Sequence, residues 1–347
     1  MNLNFIPFFV ALIVTLSVTP IVKKVAFMLK VLDHPNQRKI HQQPIPLLGS
    51  VAVYLGFLVG LFFSGFDLSP HSELFIPLSA ATLLFIVGLL DDVGYLHPQI
   101  KLMVGMPVAG IILIFFDLHL KFFHLNLLNY FLTLFWIVGI TAAYNLLDGM
   151  DGLSTGVCLI ASFFYLIIGG ITGDLFLILL PLCLMGACLG FLIYNFHPAK
   201  IFLGDSGAIL LGFLLASMGL RVANHESLPL LTRWMIPILI LTVPIFDTSL
   251  ITFSRLRRGL IPFLTPGKDH SHHRLYNLKL GQRGAVLILY GLGLAGGFFS
   301  LCIYLIGSLS GYLIFGLLIL GGLGLIFLFE KIPYERQELS PIKDQPS

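Results

Sequence analysis

Four short stretches of this sequence gather side chains suited to phosphate and metal-ion chemistry. They are Asp91-Asp92, Asn145-Leu-Leu-Asp148-Gly-Met-Asp151-Gly, Phe202-Leu-Gly-Asp205-Ser-Gly and His270-Ser-His272-His273. Two adjacent carboxylates at a helix C-terminus repel each other and the helix dipole, so Asp91 and Asp92 point to a metal-phosphate or general-base site. The plainer alternative is a mark of the membrane interface. Asn145, Asp148 and Asp151 recur every three residues, which places them on one helical face or turn. Gly149 and Gly152 let a ligand approach the backbone. A calcium loop is the rival, but the remaining EF-hand ligands and the terminal Glu are missing. Asp205 opens a helix whose first N–H groups suit an anion, or it simply caps that helix. Asn195 adds an amide able to read a base or coordinate a metal.

The fourth stretch lies in a long basic loop with Arg255, Arg257, Arg258, Lys268 and Arg274. Imidazoles and cations together grip a diphosphate. His-x-His-His without cysteine or a spaced fourth ligand is poor zinc spacing. Arg255, Arg257 and Arg258 are read most simply as topology signals. Lys101 either snorkels to the interface or holds a lipid phosphate. Asp247 falls inside an apolar run, where a carboxylate is costly; it either serves function or makes a buried hydrogen bond.

The elements that must carry these groups are membrane helices. Of the 347 residues, 57% are hydrophobic and 11% charged, with a mean hydropathy of +0.96, against about 25% charge in a soluble domain. Apolar runs near 20 residues recur without strand-like alternation, which excludes a β-barrel and predicts an all-α polytopic membrane protein. The expected spans are 4–25, 47–64, 73–90, 100–116, 127–143, 154–171, 174–193, 206–222, 232–252, 285–306 and 308–329, with 10 or 11 helices in all because the fourth and fifth are short. Residues 1–329 are expected to form one membrane domain with catalytic loops, and 330–347 a polar cytoplasmic tail. The four cysteines sit in apolar runs as packing residues, with no disulfide or zinc spacing. The first run has no basic segment before it and reads as a retained helix, not a cleaved signal. Gly56-x-x-x-Gly60 predicts close helix packing.

Lysine and arginine set the expected orientation. With the N-terminus outside, 17 of the 20 cationic residues fall on the inner side and only Lys121, Arg221 and Arg233 outside. This positive-inside bias predicts that every motif loop, and the C-terminus, is cytoplasmic.

Taken together, the loops between about residues 33 and 275 resemble the polyprenyl-phosphate N-acetylhexosamine-1-phosphate transferase family, glycosyltransferase family 4. One such motif would be weak, but five in order with matching topology are specific. The resemblance implies transfer of a sugar-1-phosphate from a UDP-N-acetylhexosamine to undecaprenyl phosphate with release of UMP. It implies Mg²⁺, with Mn²⁺ as an alternative ion, and a bacterial cytoplasmic membrane with the site facing the cytoplasm. By the same resemblance Asp91 and Asp92 act on the acceptor phosphate near the metal. Asn145, Asp148 and Asp151 line the nucleotide-metal site, with Asn145 beside Asp205 as a metal ligand. Asn195 and Phe202 hold the uridine, Lys101 the acceptor phosphate, and His270, His272 and His273 the diphosphate, with Arg274 beside them. Arg38, His41 and the following Pro-x-Pro-x-x-Gly resemble the branch that uses UDP-GlcNAc. The sequence departs from the family's pattern at Ser50, often a glycine, and at Ala142, often an asparagine. Partners would be the two substrates and membrane lipids, with no nucleic acid; related enzymes are often dimers.

The expected chemistry is in-line attack of a lipid-phosphate oxygen on the β-phosphorus, and a covalent phospho-aspartyl route stays open. The rival class is a cation- or proton-coupled transporter using Asp247. A transporter would place its ionisable groups near mid-membrane, whereas here they cluster in loops.

Overall fold

The computed structural model describes residues 4–35, 43–65, 69, 72–96, 100–229, 232–262, 267–306 and 308–334. Within them the chain is a bundle of helices that alternate in direction. In lipid every backbone N–H and C=O must be paired within the segment, so long apolar runs become helices. The helices are α1 (Ile6–Met28), α2 (Gly49–Phe62), α3 (Phe75–Asp92), α4 (Met106–Phe115, entered through a π-helical turn at Lys101–Gly105), α5 (Asn126–Leu147), α6 (Leu153–Thr172), α7 (Phe176–Asn195) and α8 (Asp205–Asn224). They continue as α9 (Met235–Ile240), α10 (Thr242–Arg257), the short α11 (Ser271–Leu275), a second π-helical turn (Tyr276–Leu280), α12 (Gly281–Ile306) and α13 (Ser308–Glu330). Eight helical stretches are long and apolar enough to cross a membrane alone. The shorter apolar helices α2 and α4 and the α9–α10 pair fall where the remaining three spans were expected.

The largest departures from the sequence reading fall in one span. The span expected at 232–252 is broken at Leu241, between α9 and α10. Pro244 has no N–H for the carbonyl of Ile240, and its ring crowds that carbonyl, so the helix restarts just before it. The second half then runs on to Arg257, because Arg255 is buried and paired rather than lost to water.

Helix α8 is almost wholly buried and forms the axis of the bundle, packed by α3 and α5. Glycines set the closest approaches. A Cβ on Gly56 would lie 1.9 Å from Thr15 Oγ1, and one on Gly186 would lie 2.2 Å from the Phe8 carbonyl. Glycine faces of α2 and α7 therefore clamp α1 from two sides, as expected for Gly56-x-x-x-Gly60.

At one end of the bundle the first loop forms a two-stranded antiparallel ribbon, with Leu32 opposite Pro46 and Asp33 opposite Ile45. Phe202 N donates to the Pro46 carbonyl, and Gly49 N and Ser50 N donate to the carbonyls of Phe202 and Leu203. The segment before α8 is thereby stitched to the segment before α2. The motifs gather at this end. The opposite end is held by Arg221, which bonds Glu73 and Asp174, and by Asn224, which donates to the His119 carbonyl.

Candidate active site

A cavity of about 700 Å³ opens at the motif end. Its wall includes Asp33, Asp91, Asp92, Asp148, Asp151 and Asp205, with Asn195, Phe202, His197, His273 and Gln282. Most of the candidates dispersed over the sequence are thus brought to one place, because helices of alternating direction return to the same end.

The two adjacent carboxylates do different work. Asp91 Oδ2 accepts from Lys101 Nζ at 2.6 Å, and the same ammonium meets Asp205 Oδ2. Lys101 itself is buried, so it bridges two helix ends rather than snorkelling. Asp92 instead closes the N-terminus of α8. Its Oδ1 accepts from Asp205 N at 2.8 Å, and its Oδ2 accepts from Ser206 N at 3.1 Å and from Ser206 Oγ. These are orphan N–H groups of the first helical turn, well suited to a carboxylate. The close fit needs Gly204, where φ is +81° and a Cβ would sit 2.7 Å from Asp92 Oδ2. Ser50 Oγ lies 2.6 Å from Ser206 Oγ, which gives the departure at Ser50 a structural role.

Asn145, in the last turn of α5, donates from Nδ2 to Asp205 Oδ1 at 3.1 Å. Asp148 follows at the helix end. Burial, reinforced by the charges of Asp205, Asp92 and Asp151, pushes its carboxyl up to about 7. Asp151 Oδ2 accepts from Ala199 N at 3.0 Å and lies 2.7 Å from His197 Nδ1. Asn195 braces the loop from behind. Its Oδ1 accepts from Gly152 N and Thr155 Oγ1, and its Nδ2 donates to the Ile201 carbonyl. Its amide, expected to read a base or a metal, is therefore largely spent inside the protein.

The imidazole segment is built on Asp247. Asp247 Oδ1 accepts from Ser271 N at 2.7 Å and Ser271 Oγ at 2.6 Å, and Oδ2 lies 2.7 Å from His270 Nδ1. This buried carboxylate thus holds the start of α11. His270 and His272 stack with centroids 5.2 Å apart, and His273 packs on His272 at 4.4 Å. Of the three, His273 lines the cavity. Both ring nitrogens of the buried His272 lack a hydrogen-bond partner among the described residues. His272 Nε2 faces Gly149, where a Cβ would lie 2.5 Å away. Asp247, His270 and His272 converge closely enough to suggest a metal. A metal must lie in the plane of each ring that binds it, however, and His270 and His272 are stacked with planes only 23° apart.

Arg274, expected beside the diphosphate, is fully buried. Four of its N–H groups donate to the Asp269 carbonyl, the Phe329 carbonyl, Ser254 Oγ and Glu330 Oε1. Arg255 and Arg258, read as topology signals, instead pair with Asp269. Burial pushes Asp269 up, but those two guanidiniums outweigh it and hold the carboxyl below its usual value. Nothing local marked these partners, which lie on elements that meet only in the fold. Arg38 and His41 lie outside the described residues.

The donor set suits a hard divalent cation, because six aspartates line one cavity and offer it carboxylate oxygens. Asp205 stands centrally, between Lys101 and Asn145.

Residues 74–223 match the family model described as glycosyl transferase family 4. The chain is 37% identical over 298 residues to a probable undecaprenyl-phosphate N-acetylglucosaminyl 1-phosphate transferase of Bacillus subtilis, covering 83% of this chain and 81% of that protein. It is 30% identical over 323 residues to a decaprenyl-phosphate N-acetylglucosaminephosphotransferase of Mycolicibacterium smegmatis, covering 81% and 77%. An undecaprenyl-phosphate alpha-N-acetylglucosaminyl 1-phosphate transferase of Escherichia coli K12 is 29% identical over 283 residues, covering 77% and 75%.

Proposed function

Because the chain belongs to glycosyl transferase family 4, among the polyprenyl-phosphate N-acetylhexosamine-1-phosphate transferases, we propose that it transfers GlcNAc-1-phosphate from UDP-GlcNAc to undecaprenyl phosphate. An oxygen of the lipid phosphate attacks the β-phosphorus of the donor. The bond from that phosphorus to the oxygen bridging the α-phosphate breaks, and UMP departs with that oxygen. The product is an undecaprenyl diphosphate sugar. The transporter reading gains no support from the relatives, and Asp247 is already committed to His270 and Ser271.

The observation that carries the proposal is the cavity into which the aspartates of α3, of the loop after α5 and of α8, and the imidazole of His273, converge. Asp205 and Asn145, with Asp148 beside them, are the residues that would hold Mg²⁺ or Mn²⁺. The ion, when bound, neutralises the donor diphosphate and the departing UMP. Lys101 draws the acceptor phosphate toward Asp91, and a phosphate already ionised near neutral pH needs no strong base. Asp92 fixes the start of α8 and so the position of Asp205. His273 stabilises charge on the transferring phosphoryl group. Phe202 offers a ring for the uracil. The saturated bonding of Asp92 favours direct attack over a phospho-aspartyl intermediate at that residue. We place the site on the cytoplasmic face of a bacterial inner membrane, from the distribution of Lys and Arg.

The test is reconstitution of the purified chain with undecaprenyl phosphate, Mg²⁺ and radiolabelled UDP-GlcNAc. The expected result is labelled lipid and stoichiometric UMP. Absence of both, with UDP-GalNAc tried as well, would overturn the reading.

A further inference from the structure

Helix α13 is the most exposed span, with 6% of its apolar stretch buried, yet its final turn closes on the imidazole segment. Arg274 directly follows His273, the imidazole that lines the cavity. Its Nη1 donates to the Phe329 carbonyl at 2.8 Å and its Nη2 to Glu330 Oε1 at 2.7 Å. The Tyr334 ring covers the same guanidinium with its centroid 4.0 Å from Cζ, and the Tyr334 hydroxyl lies 3.2 Å from Ser254 Oγ. Asn277 Nδ2 donates to the Pro333 carbonyl at 2.9 Å, and Glu330 Oε2 lies 3.7 Å from Arg257. An apolar helix needs none of these bonds to remain in a bilayer. A buried guanidinium, by contrast, cannot stay in place without its acceptors.

We propose that residues 329–334 form a latch that positions the imidazole segment, with Glu330 and Tyr334 acting as positioning residues through Arg274 on His273. The inference rests on the transfer reaction proposed above. It makes the C-terminal helix part of the machinery, although it contributes nothing to the cavity wall.

The full chain and five variants test it: a chain ending at Tyr334, Y334F, Y334A, E330A and E330Q. Each is assayed for kcat, for KM toward UDP-GlcNAc, for thermal stability and for hydrogen exchange over residues 268–275. The chain ending at Tyr334 and Y334F, which keeps the ring, should stay within about twofold of wild-type kcat, whereas Y334A should fall about fivefold and E330A about tenfold or more, with KM little changed. Exchange should rise at 268–275 alone, and E330Q, which keeps an acceptor, should recover most of the loss. Wild-type kcat and unaltered exchange in both E330A and Y334A would overturn the latch. So would losses that track a global fall in stability. If the wild-type chain makes no lipid-linked sugar, the functional reading fails, and exchange over 268–275 alone decides the latch.

Discussion

At the scale of single residues, the site is a crowd of like charges held together by a few donors. Burial, more than those charges, sets Asp148 apart. Its carboxyl is pushed up to about 7 in the folded chain from 3.8, so the folded state holds a proton that the unfolded state releases. Stability without divalent ions should therefore fall as pH rises from about 4 to about 7, by roughly 4 kcal/mol at most. Thermal melts across that range should show the fall, D148N should lack it, and added Mg²⁺ should flatten it. Asp205→Ala removes the proposed metal ligand and the partner of both Lys101 and Asn145. We expect a loss of at least about a hundredfold in kcat/KM; retention of activity in Mg²⁺ would remove Asp205 from the metal site. Asp247→Ala leaves Ser271 N–H, Ser271 Oγ and His270 without their shared acceptor, which should cost about 3 kcal/mol. Chemical denaturation in mixed micelles measures that cost.

At the scale of elements, the site is a set of helix ends held in register by close backbone contacts. The start of α8 is clamped by the end of α3, and the loop after α5 is pressed against α11. Two glycines mark these joints. Gly149→Ala would drive a methyl into His272 Nε2, and Gly204→Ala would meet Asp92 at a positive φ. Both substitutions should lower kcat by about tenfold or more while melting temperatures change by only a few degrees. A Gly149→Ala enzyme with normal kcat would show that the Asp148 loop and the imidazole segment need no fixed spacing.

At the scale of the whole molecule, alternating helices separate two polar ends. One gathers the cavity, and the other is closed by ion pairs around Arg221. Cysteines placed singly at Lys121 and at Lys331, with the native cysteines removed, should differ in intact cells. A membrane-impermeant thiol reagent should label position 121 and spare 331. The reverse pattern would invert the proposed orientation.

Much of this was legible in the sequence. Hydropathy and the three-residue spacing of Asn145, Asp148 and Asp151 are local properties, and they are enough to locate the apolar helices and to put these polar groups on one turn. Hydrogen-bond partnership is not local. Asp91 and Asp92 are neighbours of identical type, yet one pairs with Lys101 and the other with Ser206, 114 residues away. The same holds for Asn195 and Arg274, whose polar groups are spent within the protein. It holds also for Asp247, whose role becomes plain only once His270 and Ser271 are set beside it. Which chemical groups gather at one end of the bundle follows from hydropathy alone, because burial in lipid dictates helices and their lengths. Which of those groups remain free for substrates depends on the fold, because a buried donor can find its acceptor on an element far away in the chain.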